Sequence, residues 1–126
     1  MPATTKVLLH TDRLAAEPVT VEPEATDFQR GEEIELVLET VGGDGQRARF
    51  PSSGAVAWQD PASADAFAEP DRSAAGDRLT LRNRSEAASS QVVRYGYRVT
   101  VEFDGKLYST QGYPTVEEHP PVGGGG

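Results

Sequence analysis

The sequence predicts an all-β protein in which two sheets pack face to face. Short segments alternate apolar and polar residues with a period of two, and turn-forming residues separate these segments. The hydrophobic fraction is only 37%, which suits a thin core between two sheets about 10 Å apart. A chain of 126 residues is long enough for about one domain. We therefore expect a single domain over 1–122, followed by a disordered glycine tail at 123–126.

Three strands are predicted in the N-terminal part of the chain. The apolar run at 6–10 predicts an edge strand, and a second short strand is expected at 18–22, where Pro23 would end it. The polar segment at 25–32 is typical of a turn. Residues 33–40 place Ile and Leu on one face and Glu on the other, which predicts a half-buried strand.

The middle of the chain, at 42–77, is rich in Gly, Ser, Ala, Asp and Pro, and most of it is expected to be connection. The exception is 54–59, where an apolar segment that contains Trp58 predicts a buried strand. A single helical turn is possible at 62–68, with Asp60 as its N-cap.

The strongest strand signals lie in the C-terminal part. Alternating residues predict strands at 78–82 and 94–103. Asp104-Gly105 is a two-residue sequence typical of a type I′ hairpin turn, so 106–110 is expected to return antiparallel. Gln111-Gly112 indicates a bulge or a bend. Seven or eight short strands of this kind favour an immunoglobulin-like two-sheet Greek-key sandwich, although local patterns do not distinguish that strand order from a cupredoxin-like one.

Composition excludes several classes of function. The net charge of -8 disfavours nonspecific attraction to nucleic acid or to anionic membranes. The absence of cysteine excludes disulfides, thiolate metal sites and cysteine nucleophiles. The chain contains neither a nucleophile-elbow motif nor a phosphate-binding glycine loop. We therefore expect a protein that is not an enzyme and uses no cofactor.

The source and the location of the protein are also predicted from composition. Ten of the twelve basic residues are Arg, which indicates a codon bias of the source genome. The sequence has no apolar run long enough for a signal peptide or a membrane span. The simplest interpretation is a bacterial cytoplasmic protein.

Two histidines suggest an alternative function. His10 lies in the first predicted strand and His119 near the C-terminus, and carboxylates are close to both in sequence: Asp12, Glu117 and Glu118. If the two terminal segments pair, these groups would converge into a small metal-binding or hydrolytic site.

Charged residues occupy outward positions of the predicted strands. They are Glu33, Glu35 and Glu39 on one strand, and Arg78, Arg82, Arg94 and Arg98 on two later strands. One interpretation is that they form cross-strand ion pairs that specify register. The other is that the arginines form an interaction face for a carboxylate-bearing partner or for a second copy of the domain.

A cluster of aromatic residues follows the predicted hairpin. Tyr108, Tyr113 and Pro114 are close together in sequence, and an exposed Tyr-Pro cluster is a natural hot spot for protein or carbohydrate contact. Packing of both rings in the core is the alternative. We expect a non-catalytic protein-binding or interaction module, with Arg78, Arg82, Arg94, Arg98, Tyr108 and Tyr113 as its candidate contact residues.

Two stretches resemble known families. At 18–37, a short strand, a proline, an Arg-Gly step and an alternating strand are similar to the opening of cupredoxins, but the copper-binding Cys has no counterpart, so only topology would carry over. The stretch RYGYRVTVEFDGKLYSTQGYPTVEE at 94–118, together with Asp60-Pro61 and Glu69-Pro70, resembles the DP-EP family of uncharacterised bacterial sandwich proteins. That resemblance implies a fold and no activity.

Overall fold

The computed structural model describes residues 3–42, 48–84 and 91–120. Within these ranges the chain forms ten β-strands and one short 3-10 helix. The strands are β1 (Ala3–His10), β2 (Val19–Glu22), β3 (Ala25–Gln29), β4 (Glu33–Val41), β5 (Val56–Trp58), β6 (Asp71–Arg72), β7 (Arg78–Arg82), β8 (Val93–Phe103), β9 (Lys106–Ser109) and β10 (Thr115–His119), and the helix is Pro61–Ala66. No helix in these ranges has the length and apolarity that a membrane crossing requires.

The strands form two sheets. The first sheet has the order β2-β1-β4-β7-β6, and the second has the order β3-β10-β8-β5, with β9 also paired to β8. The prediction of an all-β, two-sheet sandwich is confirmed. Both sheets are mixed, because β1 runs parallel to β4 and β3 runs parallel to β10, whereas immunoglobulin domains are built from antiparallel sheets.

The predictions for the N-terminal part need two corrections. The strand at 6–10 was expected at an edge, but β1 lies between β2 and β4. Its backbone pairs with β2 on one side and with β4 over its whole length on the other, and these non-local pairings are not visible in a short apolar run. The segment at 25–32 was expected to be a turn, but it contains β3, in which Thr26 and Phe28 point inward. Its pairing with β10 is non-local, so a polar local pattern did not reveal it.

The hairpin prediction is confirmed. Asp104 and Gly105 have φ angles of 54° and 74°, as a type I′ turn requires, and β9 returns antiparallel to β8. The predicted helical turn at 62–68 corresponds to the 3-10 helix at Pro61–Ala66. The strand count exceeds the predicted seven or eight because β3, the two-residue β6 and β10 were not among the segments identified as strands. The tail at 123–126 lies outside the described residues.

Aromatic rings fill one region of the core. Trp58 is half-buried and stacks on Phe67, with ring centroids 4.5 Å apart. Tyr95 meets Phe67 edge to face at 5.1 Å, and Tyr97 meets Trp58 at 6.2 Å. The electrostatic quadrupoles of aromatic rings favour tilted and offset arrangements of this kind. Inward-facing Val and Leu side chains from both sheets complete the hydrophobic core.

Candidate functional site

A surface groove of about 310 Å³ opens at one edge of the sandwich. One side consists of residues between 17 and 25, which include β2 and the turn into β3. The other side is the segment 110–115, which connects β9 to β10. The groove therefore lies where the edge of the first sheet meets the second sheet.

Two backbone contacts join the sides of the groove. Val19 forms a parallel bridge with Thr110, and the Thr115 N–H donates to the Glu24 carbonyl at 2.8 Å. Between these contacts, the chain bends at Gln111 and Gly112, so the two sides separate. The groove is thus a gap between two segments that are held together at both contacts.

The register of β2 leaves backbone groups on the groove side. His10 N–H donates to the Pro18 carbonyl at 2.8 Å, and Val21 lies opposite Val7. Hydrogen-bonded and non-hydrogen-bonded pairs alternate along an antiparallel ladder. The N–H and C=O of Val21 consequently point away from β1, toward the groove.

Tyr113 is the exposed aromatic residue of this groove. Its relative exposure is 44%, and the guanidinium carbon of Arg98 lies 5.0 Å from the centre of its ring, which is within cation–π range. Arg98 is half-buried on the outward face of β8. Among the described residues, no carboxylate lies within ion-pair distance of Arg98. The charged group of Arg98 therefore contacts the ring of Tyr113 instead of a carboxylate in this part of the chain.

The two candidate tyrosines differ in environment. Tyr108 is half-buried and packs against the hydrophobic core, as the core interpretation predicts. Tyr113 lines the groove and is exposed. The structure therefore separates a packing residue from a candidate contact residue.

The four candidate arginines do not form a single face. Arg78 and Arg82 belong to β7 of the first sheet, whereas Arg94 and Arg98 belong to β8 of the second sheet. Sequence reasoning grouped them because alternation shows which residues point outward but not which strands share a sheet.

Three of these arginines have carboxylate partners. Arg78 lies 3.7 Å from Glu35, and Arg94 lies 3.3 Å from Glu117. Arg82 lies 4.0 Å from Glu33 and 2.8 Å from Asp71. The pairs of Arg78 and Arg82 with β4 match the expected cross-strand ion pairs.

The structure does not bring the two histidines together. His10 Nε2 lies 2.8 Å from the hydroxyl of Thr20 in the first sheet, and His119 Nε2 lies 2.8 Å from Asp27 in the second. Within the part of the chain that the structure describes, no group of three His, Cys, Asp or Glu residues is arranged to hold a metal ion. The convergence on which the metal-binding alternative depends is therefore not observed.

The contact between His10 and Thr20 is a cross-strand hydrogen bond. A hydroxyl that is activated by an imidazole is usually accompanied by a third group that orients the imidazole ring. No hydrogen bond from the described residues to His10 supplies such a group. Thr20 also lines the groove, and the bond to His10 is the one side-chain hydrogen bond of its hydroxyl among the described residues.

Sequence reasoning missed a buried polar cluster around Glu118. The Glu118 carboxylate is fully buried and accepts hydrogen bonds from Arg30 Nε at 2.9 Å, Asn83 Nδ2 at 2.9 Å and Tyr95 Oη at 3.1 Å. Asn83 follows β7 of the first sheet, so the cluster ties the two sheets together. The signal was present in the sequence, because Glu118 follows Val116 by two residues and so shares its inward face.

The cluster is structural in character. Burial, followed by the charge and hydrogen bond of Glu118, raises the pKa of Tyr95 to about 12, which keeps its hydroxyl protonated as a donor. Arg30, Asn83 and Tyr95 occupy both carboxylate oxygens of Glu118. The carboxylate therefore links three side chains in the interior of the protein.

Neither a protein-family model nor a curated protein matches this chain. The resemblances to the DP-EP family and to cupredoxins therefore stay predictions.

Proposed function

We propose that this domain is a non-catalytic protein-binding module and that its contact site is the groove between β2 and residues 110–115. The observation that carries this proposal is the exposed ring of Tyr113 at the groove, in cation–π contact with Arg98. Tyrosine supplies a large contact area with little loss of rotamer freedom, and it is enriched among binding hot spots. A ring that is already oriented loses less conformational entropy when a partner binds.

The surroundings of the ring support a protein ligand. The groove offers apolar surface from Val21, Ala25 and Pro114 and hydroxyls from Thr110 and Thr115. A volume of about 310 Å³ is at the lower end of the range of about 300 to 1,000 Å³ for ligand pockets, so it suits one or two side chains of a partner. The outward-facing Val21 backbone adds a donor and an acceptor for an extended segment, as in β-strand addition.

Selection from a random peptide library displayed on phage, with the purified domain as target, tests the proposal. Peptides selected on the native domain should bind the Tyr113→Ala variant roughly thirty-fold more weakly, which corresponds to the loss of about 2 kcal/mol typical of a hot-spot residue. Leu107→Ala is the matched control, since it removes another large exposed hydrophobic side chain, 63% exposed, that does not line the groove. Equal losses in the two variants, or no loss for Tyr113→Ala, would refute the proposed site.

Three finer expectations remain predictions within this proposal. The immunoglobulin-like subclass rests on the spacing of turn residues between short strands, the bacterial source on the excess of Arg over Lys, and the cytoplasmic location on composition. Self-association is the version of the proposal in which a second copy is the partner, and light scattering across a range of concentrations tests it.

A further inference from the structure

We infer that the groove accepts a lysine or arginine side chain from an extended segment of the partner protein; this inference rests on the proposed function. Two carboxylates line the groove, those of Glu17 and Glu24. Both residues are exposed, and neither has an ion-pair partner among the residues that the structure describes. Glu17 precedes the Val19 contact, and Glu24 forms the second contact through its carbonyl.

The groove also provides a surface for the apolar stem of a long basic side chain. The methylene stem of Lys or Arg is apolar and packs on apolar surface while its charged end reaches polar groups. Val21, Ala25 and Pro114 provide that surface, and the two carboxylates lie among the polar residues that line the groove. The Val21 N–H and C=O can hold the main chain of the same segment.

The charge balance of the site also favours a cation. Arg98 is the opposing charge, since its guanidinium lies on the Tyr113 ring. Two unpaired carboxylates against one guanidinium leave the groove negative. The whole chain carries a net charge of -8, which attracts a basic partner and repels an acidic one. Binding of an acidic segment at Arg98 would contradict the inference.

Titration of the ¹⁵N-labelled domain with capped amino acids tests the inference. The probes are the Nα-acetyl N-methylamides of lysine, norleucine and glutamate. Lysine has a positive charge at the end of an apolar stem, norleucine has an apolar stem without the charge, and glutamate has a negative charge. The lysine probe should shift the amide signals of 19–25 and 110–115, and it should do so at several-fold lower concentration than norleucine. Added salt should weaken the lysine shifts, because the carboxylates are exposed. Shifts from glutamate at equal or lower concentration, or no shifts from lysine, would overturn the inference.

Two variants and one control test whether the carboxylates of Glu17 and Glu24 strengthen the binding of the lysine probe. Glu17→Gln and Glu24→Gln should each weaken lysine binding roughly two- to fivefold, as expected for one exposed charge pair. Glu39→Gln removes the same charge from an exposed position on β4 and should leave binding unchanged. Equal effects of all three substitutions would mean that only net charge matters, which overturns the site-specific inference.

The phage-selected peptides distinguish failure of this inference from failure of the proposed function. Peptides that depend on Tyr113 but bind the Glu17→Gln and Glu24→Gln variants as tightly as the native domain would refute the basic side chain and leave the protein-binding groove intact. Peptides that do not depend on Tyr113 would refute both.

Discussion

Replacing Glu118 with Gln should destabilise the domain by about 3 to 5 kcal/mol, which is the usual effect of removing one partner of a buried ion pair. The side chain of Glu118 is fully buried, and that of Arg30 is only 9% exposed. The substitution leaves the guanidinium buried without its counter-charge. It also brings an amide donor toward Arg30 Nε, because Asn83 and Tyr95 both need the oxygen as their acceptor.

A double variant separates the charge effect from the packing effect. Arg30→Met together with Glu118→Gln removes both charges and keeps an acceptor for Asn83 and Tyr95. It should therefore be more stable than Glu118→Gln alone. Glu117→Gln is the matched control on the same strand, since its partner Arg94 is 75% exposed and the expected loss is below about 1 kcal/mol.

Equilibrium urea denaturation followed by circular dichroism measures all three free energies of unfolding. A loss below about 1 kcal/mol for Glu118→Gln would refute the reasoning, because a loss of that size is typical of an exposed ion pair and not of a buried one. A double variant that is no more stable than Glu118→Gln would show that the uncompensated Arg30 charge is not the cause.

Three further predictions concern stability. Tyr97 is fully buried, and its hydroxyl has no hydrogen-bond partner among the residues that the structure describes. Tyr97→Phe should therefore leave the free energy of unfolding unchanged or raise it by about 1 kcal/mol; a loss above about 1 kcal/mol in urea denaturation would contradict this. The pKa of Tyr95 rises from 10.0 to about 12 on folding, so its contribution should be complete below pH 10 and be lost as the pH rises from 10 to 12. Denaturation at several alkaline pH values should show a shallower decline for Tyr95→Phe than for the native domain, and identical slopes would exclude a role for this group. Gly105 has a φ of 74°, so Gly105→Ala should cost about 1 to 2 kcal/mol, measured as a lower thermal midpoint; no change would mean that the turn does not limit stability.

Local sequence patterns predicted the elements whose causes are local. Alternation with a period of two is sufficient to identify β4 and β8, because each buries every second side chain. The Asp104-Gly105 turn was predictable since its two residues tolerate the positive φ angles that the turn requires. The outward direction of the charged residues on β4 and β7 was also predictable from alternation, but their pairing was not, because only the sheet order places the two strands side by side.

The candidate site was only partly predictable. Tyr113 was identified from its proximity to Pro114, and Arg98 from its outward position. That these two residues meet depends on the bend at Gln111-Gly112, which brings the chain back across β8. Sequence spacing alone grouped Arg98 with Arg78, which lies in the other sheet.

The sequence by itself determined the all-β class, the hairpin and the inward or outward direction of most strand residues, since backbone sterics and side-chain alternation act within a few neighbouring residues. Only the tertiary structure decided that β3 pairs with β10, that Arg30 reaches Glu118, and that residues 17–25 face residues 110–115 across a groove. These contacts join segments about ninety residues apart in the chain. Their free energy comes from burial that exists only once both sheets have assembled, so no local pattern encodes them.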